Sequence, residues 1–341
     1  MKQNVAVVYG GDSSEAVVSA KSASNVLGWV DRQRYNPYLV RIQGGSWCVE
    51  PEGGDAAPID RADFSAVVGG ARVRFDAALI VIHGAPGENG VLQSYFDLLR
   101  VPYSTCSAFV SALTFNKFAC KAFLADTGVA MAKALLVRRG DEVDAEAVAA
   151  ALGLPLFVKP NSGGSSFGAA KVKSAAALHG ALREAFREDG EALIEEFIDG
   201  TELSCGAMSL NGKETALPVT EVVSKNEFFD YGAKYNGQSD EITPARLSAE
   251  QTALVQQTSL RLYRRLGCSG IVRVDYILSR GTLYLLEVNT TPGMTATSFI
   301  PQQLRAAGLD IVAVVSELVE DAIRRQAPAA DHATLNLPSA L

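Results

Sequence analysis

Residues 270–298, GIVRVDYILSRGTLYLLEVNTTPGMTATS, contain two short runs rich in β-branched and aromatic residues, and each run carries charged or amide side chains. Arg273 and Asp275 alternate in the first run, Glu287 and Asn289 in the second, so within a strand each pair shares one face. Ser279-Arg280-Gly281 between the runs is a turn signal, and the stretch reads as a β-hairpin. A two-residue loop would set the pairs on opposite faces. A three-residue loop with Gly281 in the left-handed region sets Arg273 opposite Glu287 and gathers all four side chains on one face; this is the expected register. Two carboxylates and an amide oxygen on a rigid face suit a hard cation such as Mg²⁺, which is usually held by carboxylates plus substrate phosphates. That combination points to nucleotide chemistry. The alternative is an Arg273–Glu287 salt bridge, with Asp275 and Asn289 facing water. The polar turn at residues 290–295, offering hydroxyls and backbone N–H groups, favours a site.

The rest of the chain supports an ordinary globular protein: 341 residues, 48% hydrophobic and 20% charged, enough for two or three domains. No apolar run approaches the length of a membrane span, and the strand-like Val5-Ala6-Val7-Val8 replaces a signal-peptide pattern, so a cytoplasmic protein is expected. Five scattered cysteines, never spaced as C-x-x-C, suggest neither disulfides nor a zinc site. The formal charge of −7 argues against a broad nucleic-acid or acidic-lipid surface. Any bound anion must be held locally.

In chain order, NVAVVYG at residues 4–10 reads as a strand, followed by Gly11 and a helix to about Val30, which opens an α/β unit. Glu15 at the start of that helix either captures a cationic group such as a substrate ammonium or simply complements the helix dipole. A buried strand over residues 75–82 ends in His83 and a glycine-rich loop, the kind of place where binding residues collect in α/β folds. A helix is expected over residues 111–127, carrying Lys117 and Lys121, with a domain boundary just before it. The strand at residues 155–160 brings Lys159 to NSGGSSFG, a candidate phosphate loop inside a hairpin. It lacks the G-K-[ST] of a Walker loop.

Another strand, LIEEFI at residues 193–198, leads to a turn and Glu202, where acidic groups suit a ribose or an adenine amino group. Residues 225–244, with Lys234 and Tyr235 near the middle, show no helical or strand period; such a long loop reads as a lid that excludes water. Helices are expected at residues 249–266 and 310–325, with a fraying tail after 326.

Taken together, GGDSSEAVVS, IHGAPGENG, KPNSGGSSFG, LIEEFIDGTEL, FFDYGAKY and RVDYIL…LYLLEVNTTPGMTATS resemble the D-alanine–D-alanine ligases of the ATP-grasp superfamily, in the family's order and over nearly the whole chain. The resemblance implies a mixed α/β, α+β ATP-grasp fold. Its three domains would span residues 1–106, 107–198 and 199–326, the last carrying the lid, with nucleotide between the second and third. It implies that Lys117, Lys159 and Ser166 hold phosphates, and that Glu195, Phe197, Ile198 and Glu202 line the adenine and ribose site. Asp275, Glu287 and Asn289 would bind two Mg²⁺, with Mn²⁺ an alternative ion. Glu15 would receive the first D-alanine's ammonium near His83, with Ser165 and Tyr235 alongside. Arg273 and the Gly293 backbone would form an oxyanion site, Lys234 would spread phosphoryl charge, and Ser298, next to Phe299, would hold the second carboxylate.

The implied activity is ATP-dependent joining of two D-alanines through an acyl phosphate for peptidoglycan precursors, in a homodimer without nucleic-acid or membrane partners. Two positions depart from the family pattern: Glu196 stands where lysine is common, and Phe299 is bulkier than the usual leucine. Tyr235 matches dipeptide-forming members rather than those using D-lactate. A D-lactate or D-serine ligase, another ATP-grasp carboxylate–amine ligase, and a nucleotide sensor without turnover are the competing readings.

Overall fold

A computed structural model describes residues 2–164, 166–224 and 239–326. The N-terminal part holds β1 (Gln3–Gly10), α1 (Ala16–Trp29), β2 (Tyr35–Gln43), β3 (Ser46–Val49), β4 (Ala57–Asp60), β5 (Ser65–Val68), β6 (Ala71–Arg74), β7 (Ala77–Ile80) and α2 (Val91–Leu99). These strands form a sheet in the order β6-β5-β4-β3-β2-β1-β7. Only the pairs of β1 with β2 and β7 are parallel. Val5, Ala6, Val7 and Val8 are wholly buried, as a strand covered on both faces requires. The loops after β1 and β7 therefore leave the sheet side by side, carrying Glu15 and His83.

The helix expected over 111–127 is broken. α3 (Ala108–Phe115) and α4 (Lys117–Leu124) meet at Asn116, whose backbone is extended and whose side chain caps α4 by accepting from Ala119 N–H. An asparagine that bonds the backbone locally competes with helix continuation. The fresh helix start docks just beyond the strand Leu156–Pro160: Lys117 N–H donates to the Asn161 carbonyl and Phe118 N–H to its side chain.

β8 (Ala130–Met131) precedes a four-stranded antiparallel sheet, β11-β10-β12-β9, made of β9 (Ala134–Arg138), β10 (Leu156–Pro160), β11 (Ala170–Val172) and β12 (Glu191–Glu196). α5 (Ala145–Leu152) and α6 (Leu178–Glu188) pack with it around Leu156, Val158, Leu178 and Ile194. The last sheet runs β16-β15-β13-β17-β18-β8, from β13 (Thr201–Leu210), β15 (Thr220–Ser224), β16 (Ser239–Ile242), β17 (Ile271–Ser279) and β18 (Thr282–Asn289), with β14 (Lys213–Ala216) beside β13. α7 (Ala249–Leu266) covers it, sharing a core with α3 and α4; α8 (Phe299–Ala306) and α9 (Ile311–Gln326) pack instead towards α1 and β7. The first and last sheets are thereby joined through apolar side chains such as Val26, Leu79, Met294 and Val315.

Candidate active site

The hairpin of β17 and β18 turns on two residues, not three. Ser279 pairs with Thr282, and Arg280 and Gly281 both take positive φ, 48° and 83°. Simple alternation from that turn would point Glu287 and Asn289 away from Arg273 and Asp275. The register shifts between Asp275 and Tyr276: Tyr276 pairs with Leu285, whereas Asp275 pairs with Glu287, leaving Leu286 as a bulge. One inserted residue flips the parity beyond it. The shared face is thus reached by a bulge, and Arg273 stands opposite Asn289 rather than the expected Glu287.

On that face Arg273 Nε lies 2.9 Å from Asp275 Oδ1 and its Nη2 2.8 Å from Oδ2. Ser204 Oγ and Asn289 Nδ2 also donate to Asp275, at 2.7 and 3.0 Å. Burial works against the Arg273 charge, but the surrounding carboxylates, Asp275 foremost with Glu287 and Glu88, together more than offset it and hold the guanidinium's pKa above its ordinary value. The Arg273 guanidinium carbon sits 5.4 Å from the Phe299 ring centre, a cation–π contact.

Two clefts meet here. One, of about 1040 Å³, runs between the four-stranded sheet and the last sheet and is walled by Lys117, Lys159, Ser166, Glu195, Phe197, Ile198, Glu202, Asp275 and Glu287. Apolar walls with a few convergent charges suit a nucleotide. Lys159 Nζ is 2.7 Å from Glu195 Oε2, and the other Glu195 oxygen takes Lys121. Burial alone would raise the Glu195 pKa, yet the two lysines hold it below the ordinary carboxylate value. Lys121, one turn beyond Lys117 on α4, therefore belongs to the site's charge network. Its spacing of four from Lys117 was the available signal. Lys117 Nζ donates to the Gly163 carbonyl at 2.6 Å and lies 3.5 Å from Glu287, tying the glycine loop to the hairpin. Lys171 Nζ stands 3.8 Å from the Phe197 ring centre.

The second cleft, about 1170 Å³, is walled by Glu15, His83, Glu88, Asn289, Gly293 and Ser298 among others, and shares Gly164, Arg273, Glu287 and Phe299 with the first. A Cβ added at Gly164 would lie 2.7 Å from Glu15 Oε2, so the glycine loop of the middle sheet comes right up to the Glu15 carboxylate, and a larger residue would displace that side chain. A Cβ on Gly293 would likewise meet Ser298 Oγ at 2.8 Å. Ser298 Oγ accepts from Thr295 N–H at 3.1 Å and precedes α8. His83 is buried; its ring nitrogens lie 3.2 Å from Ser22 Oγ and 3.0 Å from the Thr291 carbonyl.

Glu88, which the sequence reading passed over within the His83 loop, is buried, accepts from Gly84 N–H at 2.7 Å, and is pushed up to about 8 by burial and by Glu15. Ser165, Lys234 and Tyr235 lie outside the described residues. Among the described residues no cluster of three or more His, Cys, Asp or Glu forms a metal cage, so a cation would have to draw on two carboxylates and an amide.

The family descriptions "D-ala D-ala ligase N-terminus" and "D-ala D-ala ligase C-terminus" match residues 4–106 and 123–320. The chain belongs to the D-alanine–D-alanine ligase family. Its mixed α/β architecture is the ATP-grasp fold of that family's solved members. A D-alanine–D-alanine ligase from Phocaeicola vulgatus is 53% identical over 322 residues, 94% of this chain and 99% of that protein. Among solved ligases, VanG D-Ala:D-Ser ligase from Enterococcus faecalis superposes with a TM-score of 0.83 at 29% identity, covering 94% of this chain and all (100%) of that one. The ATP complex of the Bacillus anthracis D-alanine–D-alanine ligase gives 0.76 at 29% identity, over 95% of this chain and 98% of that one. No helix among the described residues is long and apolar enough to cross a membrane.

Proposed function

We propose that this ligase joins two D-alanine molecules into D-alanyl-D-alanine at the expense of ATP, supplying a peptidoglycan precursor. The observation that carries the reading is the meeting of the two clefts at Arg273, Glu287, Gly164 and Phe299. A phosphoryl group entering from one side and a carboxylate from the other converge on the same cation.

ATP lies in the first cleft, its phosphates towards Lys117, Lys159 and Ser166, its base and ribose towards Glu195, Phe197, Ile198 and Glu202. Glu15 takes the ammonium of the first D-alanine beside His83, leaving its carboxylate at Arg273. That carboxylate attacks the γ-phosphate to give an acyl phosphate and ADP; positioning and electrostatics carry the transfer. The neutral amine of the second D-alanine, its carboxylate held at Ser298 and the N-terminus of α8, then attacks the acyl carbon. Arg273 and Gly293 N–H, which meets no other acceptor among the described residues, stabilise the tetrahedral oxyanion, and phosphate leaves. Asp275, Glu287 and Asn289 present hard oxygens on one face and suit Mg²⁺, or Mn²⁺ in its place; two such ions when bound would neutralise charge on the phosphoryl oxygens. Ser165, Lys234 and Tyr235 complete the assignment from the family pattern.

The same reading makes the protein a cytoplasmic homodimer with domains divided near residues 106 and 198; light scattering tests the dimer. For the reaction, phosphate release from Mg·ATP is followed with D-alanine, then with D-lactate or D-serine at low D-alanine. D-Alanyl-D-alanine as the main product supports the reading. A mixed product redirects it to the second-substrate pocket around Phe299, and ATP binding without release supports a sensor.

A further inference from the structure

The turn that presents Gly293 is gripped at both ends by side chains of the N-terminal part. His83 Nδ1 is 3.0 Å from the Thr291 carbonyl oxygen, which only accepts, so this nitrogen carries the proton and donates. Burial lowers the His83 pKa against the opposing pull of Glu15, leaving a neutral ring whose Nε2 accepts. Ser22 Oγ, 3.2 Å away, therefore donates to Nε2, and its lone pair accepts Met294 N–H at 3.3 Å. Donor polarity runs one way, from Met294 N–H through Ser22 and the imidazole to the Thr291 carbonyl. The loop so closed contains Pro292 and Gly293 alone.

Ser22 lies seven residues after Glu15, two turns along the same helix and on the same face. α1 is itself fixed to the sheet by Ser19, whose hydroxyl donates to the Val81 carbonyl at 2.8 Å and accepts from Gly10 N–H at 3.0 Å. One rigid helix thus holds the ammonium carboxylate at its start and the oxyanion turn two turns later. We propose that Ser22 is a positioning residue, acting through His83 and Met294 to aim the Gly293 N–H at the oxyanion relative to a substrate held by Glu15. This rests on the ligase function proposed above.

The test compares Ser22→Ala and Ser22→Thr with Ser19→Ala, a buried serine on the same helix whose bonds lead only to the sheet. Ser22→Ala is expected to lower kcat about 10- to 100-fold, the cost of a small misplacement of a reacting group. KM for ATP and D-alanine should stay within about threefold, since the lost interaction belongs to the transition state. Ser22→Thr, which keeps the hydroxyl, should recover most of the rate, and Ser19→Ala should lower the melting temperature with a much smaller loss of kcat. Unchanged kcat in Ser22→Ala overturns the proposal. So does a rise in D-alanine KM at constant kcat, or a kcat loss that tracks the melting temperature equally in Ser19→Ala and Ser22→Ala. Wild-type protein assayed in parallel separates the two levels: no D-alanine-dependent phosphate release from it refutes the ligase reading and this role together, whereas normal wild-type turnover confines any failure to Ser22.

Discussion

Asp275 on β17 pairs directly with Glu287 on β18, and the bulge at Leu286 is what brings them opposite one another. Both carboxylates therefore face the cleft where phosphates and cation are assigned. Glu287→Gln keeps the shape but removes the charge, and phosphate release is expected to fall by at least about 100-fold, in the range seen when one electrostatic stabiliser is lost. A Mg²⁺ titration should show the half-maximal concentration rising. An unchanged Mg²⁺ requirement would remove Glu287 from the cation site.

Arg273 uses its planar fork on Asp275 while lying over the Phe299 ring, and a lysine cannot reproduce the two-pronged fork. Arg273→Lys retains a positive charge, yet kcat is expected to drop by about 10² to 10³. Steady-state kinetics with saturating D-alanine checks this. A variant within a few-fold of wild type would mean that charge alone suffices there.

Glu195 lies almost fully buried between Lys121 and Lys159. Removing one partner of a buried ion network leaves uncompensated charge, so Glu195→Gln should cost about 3–5 kcal/mol of stability and weaken ATP binding. The folded-state pKa is depressed by the lysines, so this contribution is present above the unfolded carboxylate value, about 4.3, and is lost as pH falls through the lower folded value. Urea unfolding of both proteins should show the gap closing in acid. A constant gap down to the acid transition would contradict the assignment.

Glu88 has the opposite sign. Its carboxyl is raised to about 8, so the folded protein binds that proton more tightly than the unfolded chain, and stability is lost as pH rises from the ordinary carboxylate range through the folded value. Glu88→Gln mimics the neutral form and its amide oxygen still accepts from Gly84 N–H. The variant should melt close to wild type under mildly acidic conditions and several degrees higher in alkaline buffer. Parallel melting profiles for the two proteins would sink this account.

Much of the candidate site's layout is legible in the sequence because its signals are local. The spacing of Arg273 with Asp275 and of Glu287 with Asn289 fixed which residues pair on a face, and the glycine-rich runs after β7 and β10 marked the loops. The span of α7 followed from its amphipathic pattern, and that of α1 from the glycine turn and capping residues before it. The means of alignment did not follow: a residue such as Leu286 carries no local mark of a bulge, so a three-residue turn was expected as the way to bring the four side chains to one face. Asn116 was invisible for a related reason, since its helix-breaking bonds are completed by Asn161 across the fold.

By itself, then, the sequence determined the strands, the parity of their polar residues, the glycine loops and the family, all of which depend on neighbours a few positions away. Tertiary structure decided which of these meet. Gly164 closes on Glu15, Lys121 joins Lys159 at Glu195, and Ser22 and His83 reach the turn around Gly293 across 272 and 208 residues. Those contacts are set by how the sheets and helices pack on one another, a balance of many weak apolar contacts and buried hydrogen bonds that no short window of residues contains.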